Sequence, residues 1–299
     1  MIIIDICGGL GNQMFQYALY CELLMKGKDV KLSLRHFEDI EKGKWRNIPQ
    51  HGKKFLLNEI FNIEYQLATR KETKKLGSIE TDFMSRFIYK LGYRKKTHIK
   101  EDMLMPISKQ KLIEIEDAFL EGYWQDFSLF DDAYDVIRSQ FKFTKKLNDK
   151  NYNMVKQIES TESVSIHVRR GDYLKSSLYA KLDENYYLNA IRYIKAHIDN
   201  TVFYCFSDDI EWCRELFSGY NVTYIDWNKG EDSYIDMQLM SLCKHNIIAN
   251  SSFSVWAAWL NNNVEKIVIR PQKYYSRDDI VYPWPEKWIC IREKNNDNC

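Results

Sequence analysis

Charge of one sign is missing from this 299-residue chain: 43 Lys and Arg stand against 42 Asp and Glu, a formal net charge of +1. No global field draws it to nucleic acid or to an anionic membrane. Long apolar runs are missing too. No window of about 18 residues is apolar throughout, which argues against a membrane-spanning helix. The opening Met1-Ile2-Ile3-Ile4-Asp5-Ile6-Cys7 has no basic region before it and is broken by Asp5, so it reads as a strand and not as a signal peptide. The seven cysteines are odd in number and form no C-x-x-C pair. A disulfide framework and a zinc site are therefore not expected, and a reducing cytoplasm fits. There is no internal repeat and no low-complexity segment.

What is present is an ordinary globular composition, 45% hydrophobic and 28% charged. Aromatic residues are abundant at 14%, including 20 Tyr and 8 Trp. Such rings stack on sugar C–H faces, though they also fill cores. A local basic stretch, Lys90, Arg94, Lys95 and Lys96 with Tyr89 and Tyr93, reads as a solvated helix face or as a weak contact for an anionic membrane surface.

The order of elements is informative. Ile2–Cys7 reads as a strand, Asn12–Met25 as a helix and Val30–Leu34 as the next strand. Residues 36–117 are irregular and read as helices and loops. Ala118–Tyr123 is a strand and Asp131–Phe141 a helix. The polar Lys145–Lys150 marks a linker, dividing the chain into residues 1–150 and 151–299. In the second half strands at Val164–Val168, Val202–Phe206, Val222–Ile225, Asn246–Ala249 and, last, Lys266–Ile269 alternate with helices. Those helices read as Glu184–His197, a segment ending near Phe217, Asp232–Cys243 and Val255–Leu260. The alternation predicts α/β architecture with parallel, doubly wound sheets. The tail Glu293–Cys299 reads as frayed, or as packing back on the first half.

Polar clusters follow strands, where open parallel sheets bind ligands. They are Gly8–Gln13, His167–Asp172, Ser207–Asp209 and Asn250–Ser254, with Asp236 early in the helix before the last. Adjacent Arg169 and Arg170 cannot point the same way on an extended chain, so one reaches a ligand while the other pairs internally. An arginine fork suits a diphosphate, and Asp172 is placed to orient it. The competing reading is a salt-bridged structural pair. Asn250, Ser251, Ser252 and Phe253 lead into a helix, and read as an ordinary cap or, beside an arginine, as a phosphate site. Ser207, Asp208 and Asp209 allow a metal site, a helix cap or hydrogen bonds to ribose hydroxyls; the last is favoured. The glycine loop fails as a dinucleotide fingerprint, because Met14 stands where the third glycine belongs. What remains is a tight turn bringing Asn12 and Gln13 close to a ligand.

Together these segments resemble the α-1,2-fucosyltransferases of glycosyltransferase family 11. The matching pieces are Gly8-Gly9-Leu10-Gly11-Asn12-Gln13-Met14-Phe15-Gln16-Tyr17-Ala18, Glu121-Gly122-Tyr123-Trp124-Gln125, His167-Val168-Arg169-Arg170-Gly171-Asp172-Tyr173, Phe206-Ser207-Asp208-Asp209, and Asn250 through Leu260. The resemblance implies a GT-B-like fold of two Rossmann-like domains with parallel sheets facing a central cleft. It implies a GDP-fucose donor bound by residues 151–299, an acceptor side in residues 1–150, inversion at the fucose C1 and no metal. Arg169 is then expected at the β-phosphate, His167 and Asp236 at the guanosine, Ser251 and Ser252 at the phosphates, and Asn12 by the pyrophosphate or the acceptor. The family often has Ser-Glu after Tyr-Trp-Gln, where this chain has Asp126-Phe127. Asp172 and Asp126 are the candidates for a general base, beside a mechanism with none. The expected activity is transfer of fucose to the 2-hydroxyl of a β-galactoside such as lactose or a lipid-linked oligosaccharide, for an O-antigen or surface glycan. The expected place is the cytoplasm, with at most peripheral membrane contact and no nucleic acid partner. The alternatives are another linkage (α-1,6 or α-1,3) and a non-catalytic sugar-nucleotide-binding protein.

Overall fold

The computed structural model describes residues 1–43, 52, 54–78 and 94–292. The chain divides into two compact units, Met1–Thr144 and Lys145–Cys299. Each is built on a parallel sheet, as the alternation of strands and helices predicts.

In the first unit β1 (Ile2–Asp5), β2 (Val30–Ser33), β3 (His98–Lys100) and β4 (Ala118–Glu121) lie in the order β2-β1-β4-β3, all parallel. Ile3, Ile4, Phe119 and Leu120 are fully buried, the continuous apolar pattern of strands covered on both faces. β1 stops short of the expected Cys7 because Cys7 donates its N–H to the Gln16 side chain (3.0 Å) and leaves the ladder. The helix Leu10–Met25 starts two residues earlier than expected, since the N–H groups of Asn12 and Gln13 already bond to Gly9 O. It is buried almost all round, including Gln13, Gln16 and Glu22. Phe15 packs against Phe127 and Phe130.

The irregular stretch contains short helices at Arg35–Glu41, Leu57–Ile60, Arg70–Leu76 and Lys109–Glu114. It also contains β3, which sequence reasoning passed over: three residues, His98-Ile99-Lys100, are too few to show an alternating pattern. Of the basic stretch, Tyr89, Lys90 and Tyr93 lie outside the described residues. Arg94–Lys96 form a turn into β3, not a helix face, and Lys95 donates its backbone N–H to Ser78 Oγ (2.7 Å).

In the second unit β5 (Glu162–Val168), β6 (Thr201–Ser207), β7 (Val222–Ile225), β8 (His245–Ile247), β9 (Val268–Pro271) and β10 (Ile289–Ile291) form a parallel sheet ordered β10-β9-β8-β5-β6-β7. β10 corrects the reading of Lys266–Ile269 as the last strand. It too is only three residues long, and it follows an irregular loop holding Pro283 and Pro285. A helix, Asp149–Glu159, takes up the end of the stretch read as a linker. Asn148 caps it, and only Asn151, Met154 and Ile158 are buried, so its apolar signal is faint. The helices Glu184–His197, Ile210–Leu216, Tyr234–Leu242 and Ser252–Leu260 fall within a few residues of expectation. Glu293–Cys299 lie outside the described residues.

The topology fixes where ligands go. β1 has β2 on one side and β4 on the other; β5 has β6 on one side and β8 on the other. The connections leaving such strand pairs diverge, and a crevice opens at their carboxyl ends. Among the described residues no helix is long and apolar enough to cross a membrane. Cys7, Cys21, Cys205, Cys213 and Cys243 are free thiols, whereas Cys290 is disulfide-bonded, a bridge that the odd count and scattered spacing did not announce.

Gly8 turns the chain from β1 into its helix with φ +79°, and a Cβ there would lie 2.7 Å from Asn12 Nδ2 and 3.2 Å from the Tyr123 ring. Gly8→Ala is therefore expected to cost about 1–2 kcal/mol of stability from backbone strain, read as a lower urea midpoint.

Candidate functional site

The carboxyl ends of β5 and β6 are tied by charge. Val168 is in register with Ser207, so the arginines after one strand meet the aspartates after the other. Arg169 Nη2 is 2.8 Å from Asp172 Oδ1, and its Nη1 is 3.2 Å from Asp208 Oδ2. Arg170 donates from Nε to Asp209 Oδ2 at 2.9 Å and lies 4.0 Å from the centre of the Trp212 ring. Its backbone N–H goes to Asp208 Oδ1 at 2.9 Å. The two expectations for the pair are thus divided between its members: Arg170 is the structural arginine, and Arg169 stands at the crevice. Asp172 orients the Arg169 guanidinium, as expected.

The same contacts change the account of Ser207, Asp208 and Asp209. Asp209 caps the helix Ile210–Leu216 through the Trp212 N–H, and Ser207 Oγ accepts the Asp209 N–H (2.9 Å). Asp208 holds both arginines. Of the three readings, the helix cap is realised at Asp209, and Asp208 adds an arginine clamp that none of them named. Gly171 leaves room beside them: a Cβ there would approach Asp208 Oδ2 to 2.9 Å and push the carboxylate from its place.

His167, the penultimate residue of β5, is buried with Nδ1 lacking a partner. Burial, and then the neighbouring Arg169, push its pKa down to about 3, so the ring is neutral. Its ring lies 5.8 Å from that of Phe253. Across the crevice, β8 leads to Asn250, whose Nδ2 donates to Ala180 O (2.9 Å) and Tyr274 O (2.8 Å). Asn250 is therefore a clamp on two loops; its Oδ1 is buried without a partner. Ser251 occupies the N-cap position of Ser252–Leu260, yet its side chain makes no capping bond. Its hydroxyl instead contacts the Tyr173 phenol. The ordinary-cap reading is thus not realised at Ser251, and the helix begins just after β8, at the edge where its dipole favours an anion. Tyr173 spans the crevice, with Arg169 5.6 Å from the centre of its ring and Tyr179 stacked on it at 4.1 Å. The sequence motif contains Tyr173 but assigned it nothing.

Asp236 lies in the first turn of Tyr234–Leu242, at the same edge of the sheet. Burial pushes its carboxyl up to about 7, against the lowering effect of an Asn228 hydrogen bond of 2.8 Å.

In the first unit the crevice between β1 and β4 joins the glycine turn to Gly122–Gln125. Gln16 donates to Gly122 O (2.8 Å), and Gln125 donates to Asn12 Oδ1 (2.7 Å). Asn12 therefore stands in the crevice. Gln13 does not: it is fully buried, donates to Gly8 O and Lys54 O and accepts from the Leu56 N–H, so it pins a neighbouring loop and is no ligand contact. Asp126 Oδ1 accepts from both the Ser128 N–H (2.9 Å) and Oγ (2.7 Å), capping a short turn. Glu101 is the residue that sequence reasoning missed here. It receives the N–H groups of Tyr123 (2.6 Å) and Trp124 (3.0 Å), seating a loop in which Trp124 has φ +55°. It lies just past β3, and with that strand unread nothing pointed to it.

Among the described residues one carboxylate group has metal-ligand spacing, Glu22, Asp131 and Asp132. Lys109 lies 3.0 Å from Glu22 and 2.8 Å from Asp132, and Lys26 lies 2.6 Å from Asp132. Ammonium groups already serve that cluster.

The two-sheet architecture is found in solved structures. The fucosyltransferase NodZ from Bradyrhizobium superposes with a TM-score of 0.54 at 14% identity, over 86% of this chain and 91% of that one. The likeness shows a GT-B-like fold. The profile of Glycosyl transferase family 11 matches residues 1–282, and the chain belongs to that family. It is 36% identical to an alpha-1,2-colitosyltransferase of Escherichia coli, covering 98% of this chain and 99% of that protein. It is 34% identical to the O-antigen biosynthesis glycosyltransferase WbnK of Escherichia coli, covering 94% and 97%. Galactoside alpha-(1,2)-fucosyltransferase 1 of Lagothrix lagotricha is 26% identical over 55% of this chain and 49% of that one.

The division between the arginines is testable. Arg170→Ala is expected to lower stability by about 1–2 kcal/mol through loss of the Asp209 bond and the Trp212 stack, measured by urea denaturation. Arg170→Lys should not restore it, because an ammonium has no planar fork.

Proposed function

We propose that the chain transfers L-fucose from GDP-β-L-fucose to the 2-hydroxyl of a terminal β-galactoside, with inversion. The observation that carries this reading is Arg169, oriented by Asp172 and Asp208 at the β5/β8 crevice opposite the uncapped start of Ser252–Leu260. The acceptor hydroxyl attacks C1 from the face opposite GDP, and charge builds on the leaving diphosphate. Arg169 and the helix N–H groups stabilise that charge. Asp172, on a short exposed turn, is the partner that yields Arg169 to the phosphate, while Asp208 is fixed by the Arg170 backbone. Ser251, Ser252 and Phe253 lie on the phosphate side, with neutral His167 and Asp236 at the guanosine. Asn12, in the first unit, serves the acceptor or pyrophosphate. Asp172 and Asp126 remain the two acids to test as general base. No metal takes part in this reading.

The acceptor is a β-galactoside such as lactose or a lipid-linked oligosaccharide of O-antigen synthesis, met in the cytoplasm at the inner membrane face. The similarity to a colitosyltransferase favours a second reading for the donor, colitose, which lacks the 3-hydroxyl of fucose. Rates with GDP-fucose and GDP-colitose, each with lactose and EDTA, decide between them. Faster GDP release with colitose would overturn the fucose assignment, and release abolished by EDTA would overturn metal independence.

Arg169→Ala is expected to raise the barrier by at least about 3 kcal/mol, a loss of turnover of about 100-fold or more. A variant with near wild-type turnover removes Arg169 from the mechanism.

Asp236 makes donor binding depend on pH. Guanine N–H groups bind the carboxylate, so bound GDP favours the ionised form and uptake below pH 7 releases a proton. Affinity should rise with pH up to about 7 and level off above it. His167 stays neutral across this range. The elements packed against this helix carry Asp149, Lys150, Lys156 and Glu159 on one, Glu231 and Asp232 on the adjoining turn, and no charged residue on Ser252–Leu260; none pairs with Asp236. Titration calorimetry in buffers of different ionisation heat reads the proton, and Asp236→Asn should abolish it.

A further inference from the structure

Behind Asp236 lies a chain of side-chain hydrogen bonds that the reaction as described does not use. Trp227 Nε1 donates to Asn151 Oδ1 at 3.0 Å. Asn151 Nδ2 donates to Asn228 Oδ1 at 2.8 Å. Asn228 Nδ2 reaches Asn151 Oδ1 at 3.1 Å and Asp236 Oδ1 at 2.8 Å. Asn151 is fully buried and Asn228 is 8% exposed.

The direction of this chain is fixed by its first member. An indole N–H can only donate. The Asn151 atom facing Trp227 must therefore be its oxygen, which turns the Asn151 amino group toward Asn228. The Asn228 atom that receives it must be oxygen, which turns the Asn228 amino group toward Asp236. Neither amide can flip without setting two donors face to face. The two amides exchange hydrogen bonds reciprocally, which locks their mutual orientation, and the Asn228 amino group also delivers an N–H to a carboxylate. The indole itself is held, with Lys150 Nζ 3.7 Å from the centre of its ring. The Asn148 side chain fixes Asn151 from the other end by accepting its N–H at 2.9 Å.

We propose that Asn228 is a positioning residue for nucleobase selection: it holds one oxygen of Asp236 so that the carboxylate meets a base carrying a ring N–H beside an amino group. Asn151 and Trp227 set its donor orientation. The inference rests on the reading that Asp236 faces the base of the donor nucleotide. Only a base with two adjacent donors uses a carboxylate edge-on, and guanine has that pair whereas hypoxanthine lacks the amino group. Tilting the carboxylate therefore harms recognition of the amino group more than binding of the diphosphate, which Arg169 and the helix terminus hold.

The test is calorimetric binding of GDP and of inosine diphosphate to the intact protein and to Asn228→Ala, Trp227→Phe and Asp236→Asn. The wild type should prefer GDP by about tenfold or more, the worth of one hydrogen bond to a charged group. In Asn228→Ala the preference should fall to about threefold or less, with inosine diphosphate affinity changed less than GDP affinity. Trp227→Phe keeps the ring under Lys150 and removes only the N–H, so it should give a smaller loss in the same direction. It serves equally if Asn228→Ala does not fold. Equal weakening of both nucleotides in Asn228→Ala, or an unchanged preference in Trp227→Phe, overturns the positioning role. A full GDP preference in Asp236→Asn would instead remove Asp236 from the base, a failure of the reading beneath and separable from the first.

Discussion

The second unit depends on one reciprocal arrangement, in which two arginines leaving β5 are held by two aspartates leaving β6. Exposed ion pairs contribute little to stability, but hydrogen-bonded networks of several charges specify geometry. Here the network does two jobs with four residues. Arg170 and Asp209 join the strand end to the cap of the next helix, with Trp212 beneath. That leaves Arg169 aimed at the crevice with its planar group already oriented. Removing a charge from water for catalysis is expensive unless its partners are in place beforehand. Asp208 and Asp172 are such partners, and under the proposed function an incoming diphosphate exchanges one anionic neighbour for another.

The rest of the crevice follows from topology. Because β5 sits where the strand order reverses, its loop and that of β8 diverge, and the opening receives a helix whose N-terminus is not closed by its own Ser251. Asn250 supports this opening by tying down the Tyr274 and Ala180 carbonyls, so the polar residue that looks most like a ligand contact spends its amide on the frame. Gln13 does the same in the first unit. Buried amides with several fixed bonds hold loops where side chains of lower polarity would let them slide.

The long strands and their polar exits were legible in the sequence because a continuous apolar run ending in Gly, Arg, Asp or Ser marks a strand covered on both faces at the point where it leaves the core. Alternation along an extended chain told the two arginines apart, and the turn after β5 then brings Asp172 back onto Arg169. What sequence reasoning lost were elements of three residues, β3 and β10, whose burial comes from neighbours far along the chain. With β3 went Glu101. The helix Asp149–Glu159 was lost for a related reason: its inward face is led by an asparagine, and a polar residue at a core position erases the periodic signal. Asp208 and Asp209 were visible but their arginine partners were not, since an acid after a strand has the same letters whether it meets a ribose or a guanidinium.

Gly171 has no unusual backbone angle to justify it; its role is clearance for Asp208. In that sense Arg-Arg-Gly-Asp is a spacing rule between two strands, written on one of them. A graft of this motif onto another parallel sheet would carry its arginines but not their aim, unless the neighbouring strand brought an acid to the same height and the gap beside it stayed empty.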